Sequence, residues 1–198
     1  TSCIISTICF NYNHRLLEWI EYNKKLGFSA IIIFDNNKNK RCYCDDDKKN
    51  LDIHTNIEQI KEKYKDFVFI LDFPYTPFSD VPWNSLQRLI FYISSQNFRN
   101  KCKFITLIDA DEFIYYPKMN TQTIVDYLES YNITLSVQSN LLTNKENSDY
   151  INNNVLKTAK YIGPNKYTKI FLYGKDVGEN EFIKSPHKFR KQIRFCFH

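Results

Sequence analysis

Three carboxylates within four positions, Asp109, Asp111 and Glu112, follow directly on the apolar run Lys103–Ile108. An apolar strand that ends in acids delivers them at the carboxyl edge of a sheet, and a spacing of two lets Asp109 and Asp111 approach one centre. Left to themselves such neighbours repel, which raises at least one pKa. A divalent cation is the natural centre. Mg²⁺ and Mn²⁺ prefer oxygen ligands, and Mg²⁺ takes one or two protein carboxylates and completes its shell with water and substrate phosphates. Asp109 and Asp111 are therefore expected to hold Mn²⁺ or Mg²⁺.

The elements that would position these acids read as an alternation of strand and helix. Cys3–Phe10 is apolar and β-branched, and Leu16–Leu26 places Leu16, Trp19 and Ile20 at helical spacing with Gly27 as a stop. Ser29–Phe34 is so apolar that both faces of its strand must be covered. Asp35–Asn50 reads as a polar loop at that strand's carboxyl end, where open α/β sheets hold ligands. Ile57–Tyr64 reads as a short amphipathic helix, Phe67–Phe73 as another buried strand, and Trp83–Phe98 as a longer helix. After the carboxylates, Thr121–Tyr131 reads as a helix with a Thr cap, Thr134–Ser139 and Tyr167–Tyr173 as strands, and Asn140–Asn154 as a mobile, Asn-rich loop. This is an α/β pattern, with mixed later strands.

Composition narrows the class. The 198 residues suit one domain, and 43% hydrophobic with 25% charged residues is near the globular average. The net charge of +5 is spread among acids rather than blocked, a mild field that suits a phosphate-bearing ligand. Most of the Tyr and Phe lie in apolar runs, so nucleic acid is not an expected partner. The six cysteines read as mostly buried thiols, and Cys42-Tyr-Cys44 lacks the spacing of a zinc site. No apolar run approaches the length of a membrane span, so the expected location is the cytoplasm. The start at Thr1 leaves room for an upstream anchor or signal.

Ile108-Asp-Ala-Asp-Glu-Phe-Ile114 is preceded by Asn11 and by Leu17-Glu-Trp-Ile-Glu-Tyr-Asn-Lys-Lys-Leu-Gly-Phe28, which leads to Ile31-Ile-Ile-Phe-Asp-Asn-Asn37. Together and in this order they resemble the GT-A glycosyltransferases, nearest the family-2-like and family-92-like group. The resemblance implies a Rossmann-like, mixed and mostly parallel sheet flanked by helices, forming one domain over 1–198. Its 1–116 half would bind a nucleotide-sugar and its 117–198 half would face the acceptor. It implies that Asn11 lies in the donor-binding loop, that Asp35 contacts the nucleoside, that Asp109 faces the ribose or sugar and that Asp111 ligates the metal. Gln87 resembles a helix glutamine of the family. Lys169 and His187, in Ser185-Pro-His, resemble a late basic residue and a late histidine, which would neutralise the leaving diphosphate and supply a further metal ligand.

On this resemblance the reaction moves a sugar from a nucleotide-sugar, expected to be a UDP-sugar, to a hydroxyl of a glycan or protein acceptor, with inversion. Tyr12 stands where the family often has Glu, and no aromatic-Gly-Ser-rich acceptor motif follows the acids. Asn140–Asn154 takes that place, so Asp149, with Glu146 second, is the expected general base. Two rivals make different predictions. A haloacid-dehalogenase-type phosphohydrolase would use the first Asp as nucleophile, but Phe113 stands where that family expects Thr or Val. A non-catalytic nucleotide- or RNA-binding module would bind oligonucleotides in a salt-sensitive way.

Overall fold

The computed structural model describes residues 2–9, 13–36, 50–74, 83–116, 118, 120–143, 160–185, 187–189 and 193–195. Four apolar segments become four parallel strands, β1 (Cys3–Cys9), β2 (Ala30–Asp35), β3 (Val68–Asp72) and β4 (Phe104–Leu107). Two long strands, β5 (Leu135–Thr143) and β6 (Lys160–Tyr173), join antiparallel to each other, and β6 pairs antiparallel with β4. A short β7 (Ile193–Phe195) lies parallel beside β5. Among the described residues these seven strands form one sheet in the order β3-β2-β1-β4-β6-β5-β7.

Strand alternation sorts the core into two layers. On one face Cys3, Ile5, Ile31 and Ile33 pack with Leu16, Trp19 and Ile20 of α1 (Asn13–Lys25) and with Ile57 and Ile60 of α2 (Asn50–Lys63). Ile124, Val125 and Leu128 of the short α4 (Ile124–Leu128) join them. On the other face Ile4, Ile8, Ile32 and Ile105 meet Leu86, Ile90 and Phe91 of α3 (Trp83–Phe98). The result is the expected α/β architecture, a mixed and mostly parallel sheet between helices. β1 is buried at every position, which is why its sequence shows no alternation.

Two glycines are required by geometry. Gly27 ends α1 at φ 90°, a conformation that favours residues without Cβ. At Gly174, which follows β6, an added Cβ would come within 2.4 Å of the Arg99 carbonyl oxygen and 2.6 Å of that of Cys102. Both obstacles are backbone, so Gly174→Ala is expected to cost about 1–3 kcal/mol, read as a lower thermal midpoint.

Several boundaries differ from the sequence reading. α1 starts at Asn13 and α2 at Asn50, each earlier than the apolar pattern suggests. α4 is shorter than expected and begins after Thr123, whose hydroxyl accepts from the Asp126 N–H while the Asp126 carboxylate accepts from the Thr123 N–H in a capping box. β3 is not a buried strand: it is a sheet edge with Phe69 and Leu71 exposed. Asp35 is the last residue of β2, buried, rather than the first of a loop. β5 runs through Thr143, so the expected Asn140–Asn154 loop loses its first residues to the sheet, and the remainder lies outside the described residues. Cys3 and Cys9 are buried thiols and Cys102 is a partly exposed one, while Cys42, Cys44 and Cys196 lie outside the described residues.

Candidate active site

In spatial order β1 has β2 on one side and β4 on the other, so the chain's direction of travel across the sheet reverses between β1 and β4. At such a switch point the carboxyl ends of the strands open a crevice, and this is where α/β sheets bind ligands. Asp109 stands there, two residues beyond the end of β4.

The Asp109 carboxylate is held from two sides. Gln87 Nε2, on α3, donates to Oδ1 at 2.7 Å, and Lys169 Nζ, on β6, donates to Oδ2 at 3.1 Å. Lys169 Nζ also reaches Glu112 Oε2 at 2.7 Å, so one ammonium bridges two carboxylates. Its side chain is only 12% exposed, against 34% for Asp109 and 33% for Glu112. Burial alone would lower the Lys169 pKa, but Glu112 and Asp109 outweigh it and raise it, so the ammonium is charged at neutral pH. Glu112 is raised, chiefly by burial, against the opposing pull of Lys169.

A tight turn sets the offset between the acids. The Asp109 N–H donates to Glu112 Oε2 at 2.8 Å, and the Glu112 N–H donates back to the Asp109 carbonyl at 2.9 Å. α1 fastens the outgoing segment: Trp19 Nε1 donates to the Glu112 carbonyl at 2.8 Å and the Tyr22 hydroxyl to that of Ile114 at 2.7 Å. Burial pushes the Tyr22 pKa up to about 12, consistent with a phenol that stays a donor. Asp111, at the crest of the turn, is exposed. Partial desolvation, then the charge of Asp109, raises its pKa, and among the described residues no cation pairs with it.

His187 is brought to the same neighbourhood through Thr168, the residue before Lys169. Its Nδ1 lies 2.6 Å from the Thr168 carbonyl, and the Thr168 hydroxyl donates to the His187 carbonyl, also at 2.6 Å. A carbonyl can only accept, so Nδ1 carries the proton and the ring's lone pair sits on Nε2. Burial is the main cause that lowers the His187 pKa, which keeps the ring neutral at pH 7.

Asp35 ends β2 on the same carboxyl edge, separated from β4 by β1. It is in register with Asp72 at the end of β3, an acid that the sequence reading did not single out. The structure thus brings Asp109, Asp111, Lys169 and His187 to one end of β4 and β6, with Asp35 two strands away along the same edge. Asn11, Glu146 and Asp149 lie outside the described residues. Among the described residues, no three His, Cys, Asp or Glu side chains form a group able to hold a metal ion. Nor is any helix long and apolar enough to cross a membrane. The polar tips of Trp19 and Tyr22 were also missed. Their helical spacing marks them as core, and only the folded contact across more than ninety residues gives their N–H and O–H partners.

No protein-family model matches the chain. A glycosyltransferase family 92 protein of Oryza sativa subsp. japonica is 23% identical over 194 residues, 98% of this chain and 27% of that protein. One of Ricinus communis is 22% identical over 188 residues, 95% of this chain and 28% of that protein. The chain therefore spans little more than a quarter of the length of the curated relatives it matches. Among solved structures, residues 1–349 of S. aureus TarS align over 70% of this chain and 35% of theirs, with 12% identity and a TM-score of 0.43.

Proposed function

We propose that this chain is a metal-dependent, inverting glycosyltransferase domain that takes its sugar from a UDP-sugar, with 1–116 binding the donor and 117–198 facing the acceptor. One observation carries the reading: a carboxylate clamped by Gln87 and Lys169 stands beside a second carboxylate, Asp111, whose pKa burial and the charge of Asp109 raise, at the carboxyl end of β4. The sequence similarity to family 92 glycosyltransferases over nearly the whole chain agrees with it.

The donor set suits a hard cation held loosely. Asp111 is exposed and destabilised by its acidic neighbour, so it gains most from Mn²⁺ or Mg²⁺. Asp109 would share the ion through remaining lone pairs, and the Nε2 of His187 is chemically able to be a third ligand. Such a site takes its remaining ligands from water and from the diphosphate. When bound, the cation supplies Lewis-acid neutralisation of the departing diphosphate. Lys169 adds a fixed positive charge on the same side. Asp35 and Asn11 would bind the nucleoside. Asp149, or failing it Glu146, would accept the proton of the attacking hydroxyl of a glycan or protein acceptor.

The reading is tested by thermal shift with UDP and UDP-sugars, with and without Mn²⁺. Ligand at a hundred times its dissociation constant is expected to stabilise the chain by about 2.7 kcal/mol, and only when Mn²⁺ is present. Metal-independent stabilisation, or release of phosphate from an aryl phosphate in its place, would overturn it.

A further inference from the structure

Glu112 does more than belong to an acidic cluster. Its Oε2 accepts two hydrogen bonds at once, from the Asp109 N–H at 2.8 Å and from Lys169 Nζ at 2.7 Å. Its own N–H closes the turn on the Asp109 carbonyl, and its carbonyl is fixed to α1 through Trp19. One residue therefore sets the spacing of Asp109 and Asp111, aims the ammonium of Lys169 and cancels that ammonium's charge. With two donors already on it, that oxygen is committed to holding the turn and the ammonium in place.

We infer that Glu112 is the positioning residue of this site, and that by neutralising Lys169 it makes the binding of a nucleoside diphosphate depend on a divalent cation. The inference rests on the glycosyltransferase reading given above and deepens it. Balancing charges gives the reason. Asp109, Glu112 and Lys169 together carry one negative charge, and Asp111 brings the total to two, which opposes a bare diphosphate and welcomes a divalent ion. Without the Glu112 charge the same groups carry one, so a diphosphate meets less repulsion and the ion less attraction. A unit charge within several ångströms of a partly exposed site changes ion affinity by about tenfold.

The test compares UDP affinity by calorimetry in EDTA and in saturating Mn²⁺, for the unaltered chain and for Glu112→Gln. The amide keeps one oxygen to accept from the Asp109 N–H while removing the charge. The ratio of the two UDP dissociation constants, without over with Mn²⁺, is expected to fall by about tenfold or more, with tighter metal-free binding. A purely structural role would weaken both affinities alike and leave the ratio unchanged. An unchanged ratio in folded Glu112→Gln overturns the inference and leaves the glycosyltransferase reading standing. If the unaltered chain shows no Mn²⁺ dependence, both fall. Should Glu112→Gln fold poorly, Lys169→Met serves as the second variant. It removes a positive charge from the same set, so the ratio must rise, and a ratio that stays level also overturns the inference.

Discussion

Asp111→Asn is expected to leave the chain folded and to lower Mn²⁺-dependent transfer from a UDP-sugar by about 10³-fold or more in kcat/KM. The two halves of this expectation have separate causes. Asp111 is exposed, lacks a cationic partner among the described residues and has a raised pKa, so its charge is an expense to the native state. A raised native pKa means stability that is present at low pH and is lost as the pH climbs through that pKa. Asparagine removes the loss, and the melting midpoint at pH 7 should equal or exceed that of the parent. The activity falls because an amide oxygen is a poor substitute for a carboxylate on a divalent ion. Coupled assay of UDP release, beside a melting curve, checks both halves. A folded variant that keeps Mn²⁺-dependent turnover would refute the assignment of Asp111.

Lys169→Met should do damage of a different kind. The ammonium is nearly enclosed between two carboxylates that are each about one-third exposed. Removing one partner of a fully buried pair costs about 3–5 kcal/mol, and solvent access to the acids here brings the expected loss to about 1–3 kcal/mol. Transfer should drop by about 10²-fold, because on the proposed reading a fixed charge beside the leaving group is lost. Denaturation in EDTA and in Mn²⁺ distinguishes the two contributions: the cation should recover part of the stability, because it can stand in for the missing charge, and little of the turnover. Equal stability of variant and parent in EDTA would show that the bridge is not holding the acids together.

The parts of this architecture that could be read from sequence are those governed by local pattern. The apolar segment ahead of Asp109 identifies a buried strand, and Gly27 marks the end of α1 because that position adopts positive φ. Gln87 and Lys169 stood out only through the family resemblance, yet they meet on opposite oxygens of Asp109. What stayed hidden depends on partners distant in the chain. Phe69 and Leu71 sit in a run as apolar as that of β2, and nothing local reveals that β3 is the sheet edge. The three-residue β7 is too short for a periodicity to register, and it exists because β5 offers it an edge. Glu112 read as a third acid, because its two donors come from the turn it closes and from β6.

The bridge between Lys169 and Asp109 spans sixty positions in the chain and is made when β6 pairs antiparallel with β4. The strands that carry the acids, β1 to β4, are complete by residue 107, whereas the counter-ion arrives from the far side of that pairing. Loop closure over such a distance carries its own entropic toll. The amino-terminal strands alone would lack the ammonium that bridges Asp109 and Glu112, so the late strands act as an electrostatic keystone. Loss of the carboxyl-terminal third would register first as unbalanced repulsion at the crevice, and only second as missing core.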